Sequence, residues 1–250
     1  MFPSAGSISR PDLPMPFHDR LAVFGIRMSD TCRILAINPG STSTKISVFE
    51  NEREVWSSKL THSESELSNY GHIFDQYEFR KGVILSKLKE AGFEISTFDA
   101  IVGRGGVVYP VEGGTYSIDD RLIEDLHNGV QGEHVSNLGA PIAKELSITA
   151  GCRSFIVDPV VVDEMEPIAR LSGHPDLPRR SILHALNQKA VARMAASDLG
   201  RSYSDLNLIV IHLGGGISVG AHGKGRVIDV NNALNGDGPF TPERSGGLPV

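Results

Sequence analysis

Two cysteines, one tryptophan and five tyrosines are all that 250 residues contain of those types, and no apolar run approaches the ~18–20 residues of a membrane span. Cys32 and Cys152 are too few for a disulfide framework or a metal cluster, and read as reduced thiols of a cytoplasmic protein. A basic stripe is missing too. The 24 Lys and Arg and 30 Asp and Glu are mixed along the chain at a net charge of −6, so neither nucleic acid nor a membrane is expected as a partner. Gly-x-x-x-x-Gly-Lys-Ser/Thr is absent, which excludes a P-loop, and no Gly-x-Gly-x-x-Gly opens a helix, which excludes the common dinucleotide fingerprint.

What is present is a globular composition, 40% hydrophobic and 22% charged, after an unusual start. Residues 1–32 hold four prolines and no sustained period, and are expected to be a disordered or spurious extension, with Met28 as an alternative start. Arg33–Asn38, Lys45–Glu50 and Arg53–Leu60 then read as an antiparallel meander of three strands. Helical spacing follows over His72–Glu90, a buried strand over Phe98–Gly103, and a helix over Ser117–His127 with Ser117 as its cap. Asn137–Ala150 reads as a helix, Arg153–Val157 as a strand, and Ser181–Leu199 as a long alanine-rich helix stopped by Gly200.

The opening pattern then recurs. Asn207–His212, Ile217–Ala221 and Arg226–Val230 are three further strands, the first two joined by Gly214-Gly215-Gly216. One chain thus carries two copies of strand, glycine turn, strand, turn, strand. The expected fold class is a duplicated α/β architecture, with residues 33–200 as a complete first domain and residues 201–250 as the start of an incomplete second one.

Both glycine turns are candidates for anion binding. In Asn38-Pro39-Gly40-Ser41-Thr42-Ser43-Thr44-Lys45 the backbone N–H groups, the Ser41 and Ser43 hydroxyls, the Asn38 amide and the Lys45 ammonium could all face phosphate oxygens. His212 and the three following glycines would do the same in the second copy, although either turn alone is also read as an ordinary polar hairpin. Arg104, flanked by glycines at a strand end, suits a carboxylate or phosphate, or is simply solvated. Asp158 could hold magnesium or merely shape a turn; His184 and Arg244 are further candidates that residue type alone leaves open.

Taken together, these motifs resemble the acetate and butyrate kinase family. Asn38–Lys45 is similar to that family's opening phosphate motif, Gly103-Arg104-Gly105-Gly106 to its substrate-side arginine motif, and His212–Gly216 to its second phosphate motif. Asp237–Pro249, which contains Arg244, and the glycine at position 215 resemble the butyrate branch. The resemblance implies an actin-like (ribonuclease H-like) fold and transfer of the ATP γ-phosphate to butyrate or another short-chain carboxylate. It implies ATP and Mg2+ as cofactors, and a homo-oligomer when full length. By the same resemblance Arg104, Asp158, His184 and Arg244 are catalytic, with Asp158 near the metal, and Asn38, Gly40, Ser41, Ser43, Lys45, His212, Gly214, Gly215 and Gly216 contact the nucleotide. Acetate kinases carry a second histidine where this chain has Gln188, and the family's adenosine-binding glycines and a further glutamate have no counterpart before Val250. Alternatives are a catalytically silent fragment, or a branched-chain, propionate or acetate relative.

Overall fold

The computed structural model describes residues 31–234 and 238–247; the expectations for residues 1–30, for Asp237 and for residues 248–250 lie outside them. β1 (Arg33–Pro39), β2 (Ser43–Glu50) and β3 (Arg53–Thr61) form the expected antiparallel meander. Leu35 and Ile37 of β1 and Ile46 and Val48 of β2 alternate inward, so a period of two decides which face is buried. The tight turn between β2 and β3 places Asn51 at φ 56°, a left-handed conformation that asparagine tolerates. β4 (Ala100–Gly103), β5 (Thr115–Ser117) and β6 (Arg153–Val157) complete a sheet ordered β3-β2-β1-β4-β6-β5, in which β1, β4 and β6 run parallel.

Four short helices dress this sheet: α1 (Glu64–Leu67), α2 (Tyr77–Glu90), α3 (Asp120–His127) and α4 (Gly139–Ala150). α2 turns Arg80, Ile84 and Leu88 inward at spacings of four, so its buried stripe includes one charged residue. α4 packs against β4 and β6 through bare backbone. A Cβ on Gly103 would run into the Gly139 carbonyl, and one on Gly139 into the Arg104 carbonyl, so this pair of glycines sets how closely α4 approaches the end of β4.

Several boundaries differ from the sequence reading, each for a local reason. Ser117 is not a helix cap but the last residue of β5, paired with Phe155; Asp119 caps α3 instead, accepting the Leu122 N–H at 2.8 Å. The helix expected from Ser181 starts only at α5 (Ala185–Asp198). Residues 181–184 stay out of the helix because their polar groups are engaged sideways: Leu183 N–H donates to the Val160 carbonyl at 3.0 Å, Ala233 N–H to the Ile182 carbonyl at 2.9 Å, and the Ser181 hydroxyl to the Val162 carbonyl at 2.6 Å. A short 3-10 turn at Ile73–Gln76 precedes α2 where continuous helix was expected, and another at Val135–Leu138 takes up Asn137 and Leu138, expected as the start of α4. α1, closed by a Ser63–Glu66 capping box, was not foreseen.

β7 (Asn207–Leu213), β8 (Ile217–Gly223) and β9 (Arg226–Val230) form a separate antiparallel sheet. Val227 and Val230 pack with Val162, Met165, Leu183 and Ala185, so the second sheet shares a core with the segment leading into α5. Its joint to the rest is polar and buried. The Glu164 carboxylate takes Lys189 Nζ at 2.7 Å, the Val227 N–H at 2.8 Å and the Gly113 N–H at 3.0 Å, and both charged side chains are almost wholly enclosed. The opposite face of β7 is bare: Ile209, Ile211 and Leu213 are 68%, 55% and 74% exposed.

Candidate active site

The turn after β1 is held from within. Gly40 N–H donates to the Ser43 carbonyl at 2.7 Å, and the fully buried Arg80 reaches up from α2 to the carbonyls of Gly40 (3.0 Å), Ser41 (3.1 Å) and Ser43 (3.3 Å) and to Thr44 Oγ1 (2.9 Å). These carbonyls are drawn inward and a positive charge lies under the turn, both of which favour an anion at its outer surface. The Arg80 charge and burial also keep the neighbouring His62 below the usual imidazole range, burial being the larger cause. Asn38 and Lys45 are cross-strand partners, both exposed, and so share one face at the turn's base.

Arg104 continues the parallel ladder by donating its N–H to the Ile37 carbonyl at 2.8 Å, and its guanidinium reaches Asn38 Oδ1 at 3.2 Å. It lines a cavity with His134, His184 and Arg244, whose remaining wall is apolar, including Val107, Val160, Leu183 and Leu234. The His184 ring stacks on His212 with centroids 3.7 Å apart and planes 10° from parallel. His184 is pushed down to about 4, first by burial and then by His212, Arg244 and Arg104. Burial and Arg104 lower His212, and burial, Arg104 and Arg244 lower His134. The arginines therefore carry the positive charge, and the histidines around them stay neutral near pH 7.

The second turn is held from outside. Gly214 N–H donates to the Gly216 carbonyl at 3.1 Å, and the Thr241 hydroxyl to the Gly215 carbonyl at 2.6 Å. A Cβ on Gly215 would strike the Glu243 carboxylate and one on Gly216 the Arg244 guanidinium, so glycines here let residues 241–244 lie over the turn and deliver Arg244 to the cavity. Arg104 bonds Asn38 at the base of the first turn and lines the cavity with His184, whose ring stacks on His212 at the base of the second.

Of the residues singled out by sequence, the structure gathers Asn38, Arg104, His184, His212 and Arg244. Gly40, Ser41, Ser43 and Lys45 form the turn after Asn38, and Gly214, Gly215 and Gly216 the turn after His212. Asp158 is not brought to the cavity wall. Its buried carboxylate accepts the Gly114 N–H at 2.8 Å and pairs with Arg193 at 3.1 Å, and it sits at φ 38°. Among the described residues no cluster of His, Cys, Asp or Glu could hold a metal, and no helix is long and apolar enough to cross a membrane. Sequence reasoning missed His134 and Arg80. His134 accepts the Ser136 N–H on Nδ1 at 3.2 Å, a capping role hinted at only by its place between Gly132 and the apolar Val135. Arg80 was legible as a charge on the apolar stripe of α2.

No family model matches the chain. A probable butyrate kinase of Clostridium botulinum (strain Eklund 17B / Type B) is 60% identical over 218 residues, covering 87% of this chain and 61% of that protein. Over that stretch the chain is similar to butyrate kinases. Butyrate kinase 1 of Clostridium acetobutylicum is 56% identical over the same shares of both chains. The chain spans about three-fifths of the length of the curated proteins it matches. Among solved structures, acetate kinase from Porphyromonas gingivalis superposes with a TM-score of 0.65 at 20% identity, covering 87% of this chain and 62% of that one. A propionate kinase from Francisella tularensis gives a TM-score of 0.58 at 17% identity, covering 87% and 62%. At such identities the likeness speaks for the fold alone, and it agrees with the actin-like α/β architecture that the motif resemblance implied.

Proposed function

We propose that this chain carries the phosphoryl-transfer site of a short-chain fatty-acid kinase, which moves the γ-phosphoryl group of ATP to the carboxylate of butyrate. The observation that supports it most directly is the cavity where Arg104 and Arg244 meet two neutral histidines beside an apolar wall. A short aliphatic acid matches that division, its tail against Val107, Val160 and Leu183 and its carboxylate toward the guanidinium groups. A carboxylate is already ionised at neutral pH, so no general base is needed. A carboxylate oxygen forms the new bond to the γ-phosphorus while the bond to the bridging oxygen of ADP breaks, and ADP leaves with the electron pair.

The obstacle is bringing two anions together, and positive charge placed beforehand removes it. Arg104 and Arg244 supply that charge, the Gly40 turn above Arg80 receives phosphate oxygens, and Gly214–Gly216 approach the nucleotide with bare backbone. Asn38, Ser41, Ser43, Lys45 and His212 add donors around the same phosphates. Among the described residues the cavity lining holds no carboxylate cluster, and a divalent ion is expected to arrive on the nucleotide's phosphates. A cytoplasmic setting and self-association complete the reading.

The test is hydroxamate trapping of acyl phosphate with ATP and acetate, propionate, butyrate or isobutyrate. Butyrate should give the strongest signal, and Arg104→Ala or Arg244→Ala should each lower it about 10³-fold with unchanged unfolding midpoints. Wild-type turnover in both variants would remove these roles. A second reading, a chain that is silent by itself, is favoured by the bare face of β7. In that case a chain extended to the relatives' full length should be active and this one inactive.

A further inference from the structure

Behind the cavity a file of side chains leads away from His184, and its polarity can be read link by link. The Ser218 carbonyl can only accept, and Gln188 Nε2 lies 3.0 Å from it and 2.7 Å from the Ser218 hydroxyl oxygen, so the Gln188 amide turns its NH2 toward Ser218. Its Oε1 is left facing His222 Nε2 at 2.9 Å, and that nitrogen must hold a proton. His222 Nδ1 is then bare and accepts the Tyr203 hydroxyl at 2.6 Å. In the other direction, Ser218 Oγ already accepts from Gln188, and its own proton has His184 Nδ1, at 2.9 Å, to go to. Ser218 and Gln188 are fully buried and His222 nearly so, so a reversed Ser218 hydroxyl would be stranded where water cannot replace the lost partner.

We propose that Ser218, Gln188 and His222 are positioning residues that fix His184 as the neutral tautomer protonated on Nε2, so that it presents an N–H donor to the cavity. The inference rests on the kinase reading for its purpose: phosphoryl oxygens only accept, and a histidine offering a lone pair there would repel them. Gly220 belongs to the same device. A Cβ there would strike Gln188 Oε1, so β8 has no side chain where the amide crosses to His222. Burial pushes both His184 and His222 down to about 4, which keeps the file uncharged at neutral pH. The departure at position 188 thereby acquires a role: a glutamine is a donor at one end and an acceptor at the other, and holds the direction of the whole file.

Long-range 1H–15N spectra of the chain with 15N-labelled histidine, recorded at pH 7.5, decide the tautomers directly. The expected result is the Nε2–H pattern for both His184 and His222. Gln188→Glu replaces the donor with an acceptor, draws the Ser218 hydroxyl to itself and should switch His184 to Nδ1–H. Ser218→Ala, a milder change, should leave His184 with averaged shifts of mixed tautomers, and Ser218→Thr should restore the wild-type pattern. In the trapping assay the first two variants should lose at least tenfold in kcat with KM for the acid little changed, and Ser218→Thr should recover it. An Nδ1–H His184 in the wild type, or a His184 spectrum identical in all variants, overturns the inference. The spectra report the tautomer whether or not the chain turns over, whereas absence of acyl phosphate from wild-type and extended chains would count against the kinase reading alone.

Discussion

Two hairpins of this chain carry glycine turns, and they are braced from opposite directions. The turn at Gly40 sits on a buried guanidinium, Arg80, which belongs to the core of the first sheet. The turn at Gly214 to Gly216 is clasped by residues 241–244, which come back over it from outside. Behind the first turn lies a sheet whose inward residues are buried; behind the second lies a sheet with one apolar face open. Similar letters therefore build a turn that is part of the fold's stability in one place and a turn held by a light surface loop in the other.

The sharpest way to break this comparison is Arg80→Ala. It removes bonds to three turn carbonyls and Thr44 and takes the buried guanidinium from under the Gly40 and Ser41 carbonyls, so a loss of about 3–5 kcal/mol in urea unfolding is expected. A midpoint close to wild type would show that the first turn stands without its brace. Next comes a matched pair of truncations. Ile46→Ala, in the closed core, should cost about 2–5 kcal/mol, and Ile211→Ala, 55% exposed, less than about 0.5 kcal/mol. Equal costs would mean that the open face of the second sheet is covered in solution.

In Gly216→Ala the new methyl meets the end of a flexible side chain, so Arg244 can swing away at little cost in stability. Acyl-phosphate formation should fall about tenfold or more, as expected for a misplaced charge-stabilising group, with an unfolding midpoint shifted by less than about 1 kcal/mol. Acidity gives the most gradual effect. His184 and His222 sit near 4 in the folded chain, against about 6.5 for a free imidazole. Between those values the unfolded chain binds more protons, so this contribution is complete above pH 6.5 and is lost as the pH falls toward 4. Urea midpoints measured from pH 7.5 down to 4.5 should decline across that window. A flat profile in that range would separate these rings from stability.

Much of this was legible because it was local. The alternation in β1 and β2 and the repeated glycine turn named the sheets, and flanking glycines marked Arg104 before its partners were known. What could not be read was decided across distance. Ser117 has the chemistry of a cap, yet its backbone is claimed by Phe155 of β6. Ser181 to His184 has a helical composition, yet the Leu183 N–H, the Ile182 carbonyl and the Ser181 hydroxyl are engaged by residues 160, 233 and 162. Asp158 ends a strand as an active-site acid would, but Arg193 comes from α5 to neutralise it away from the cavity. His134 reaches the wall only because Gly103 and Gly139 let α4 close on β4, a contact that spans 36 residues of sequence and has no periodic signature.

The Glu164–Lys189 knot has a mechanical consequence. One carboxylate is tied at once to a backbone N–H before β5, to a helix and to β9, so the two sheets are riveted together at that end. Shear there would expose an unpaired charge in a dry interior, which is far more costly than bending a loop. Any hinge motion between the two sheets has this rivet as its fulcrum, with the free travel in the parts of each sheet furthest from it.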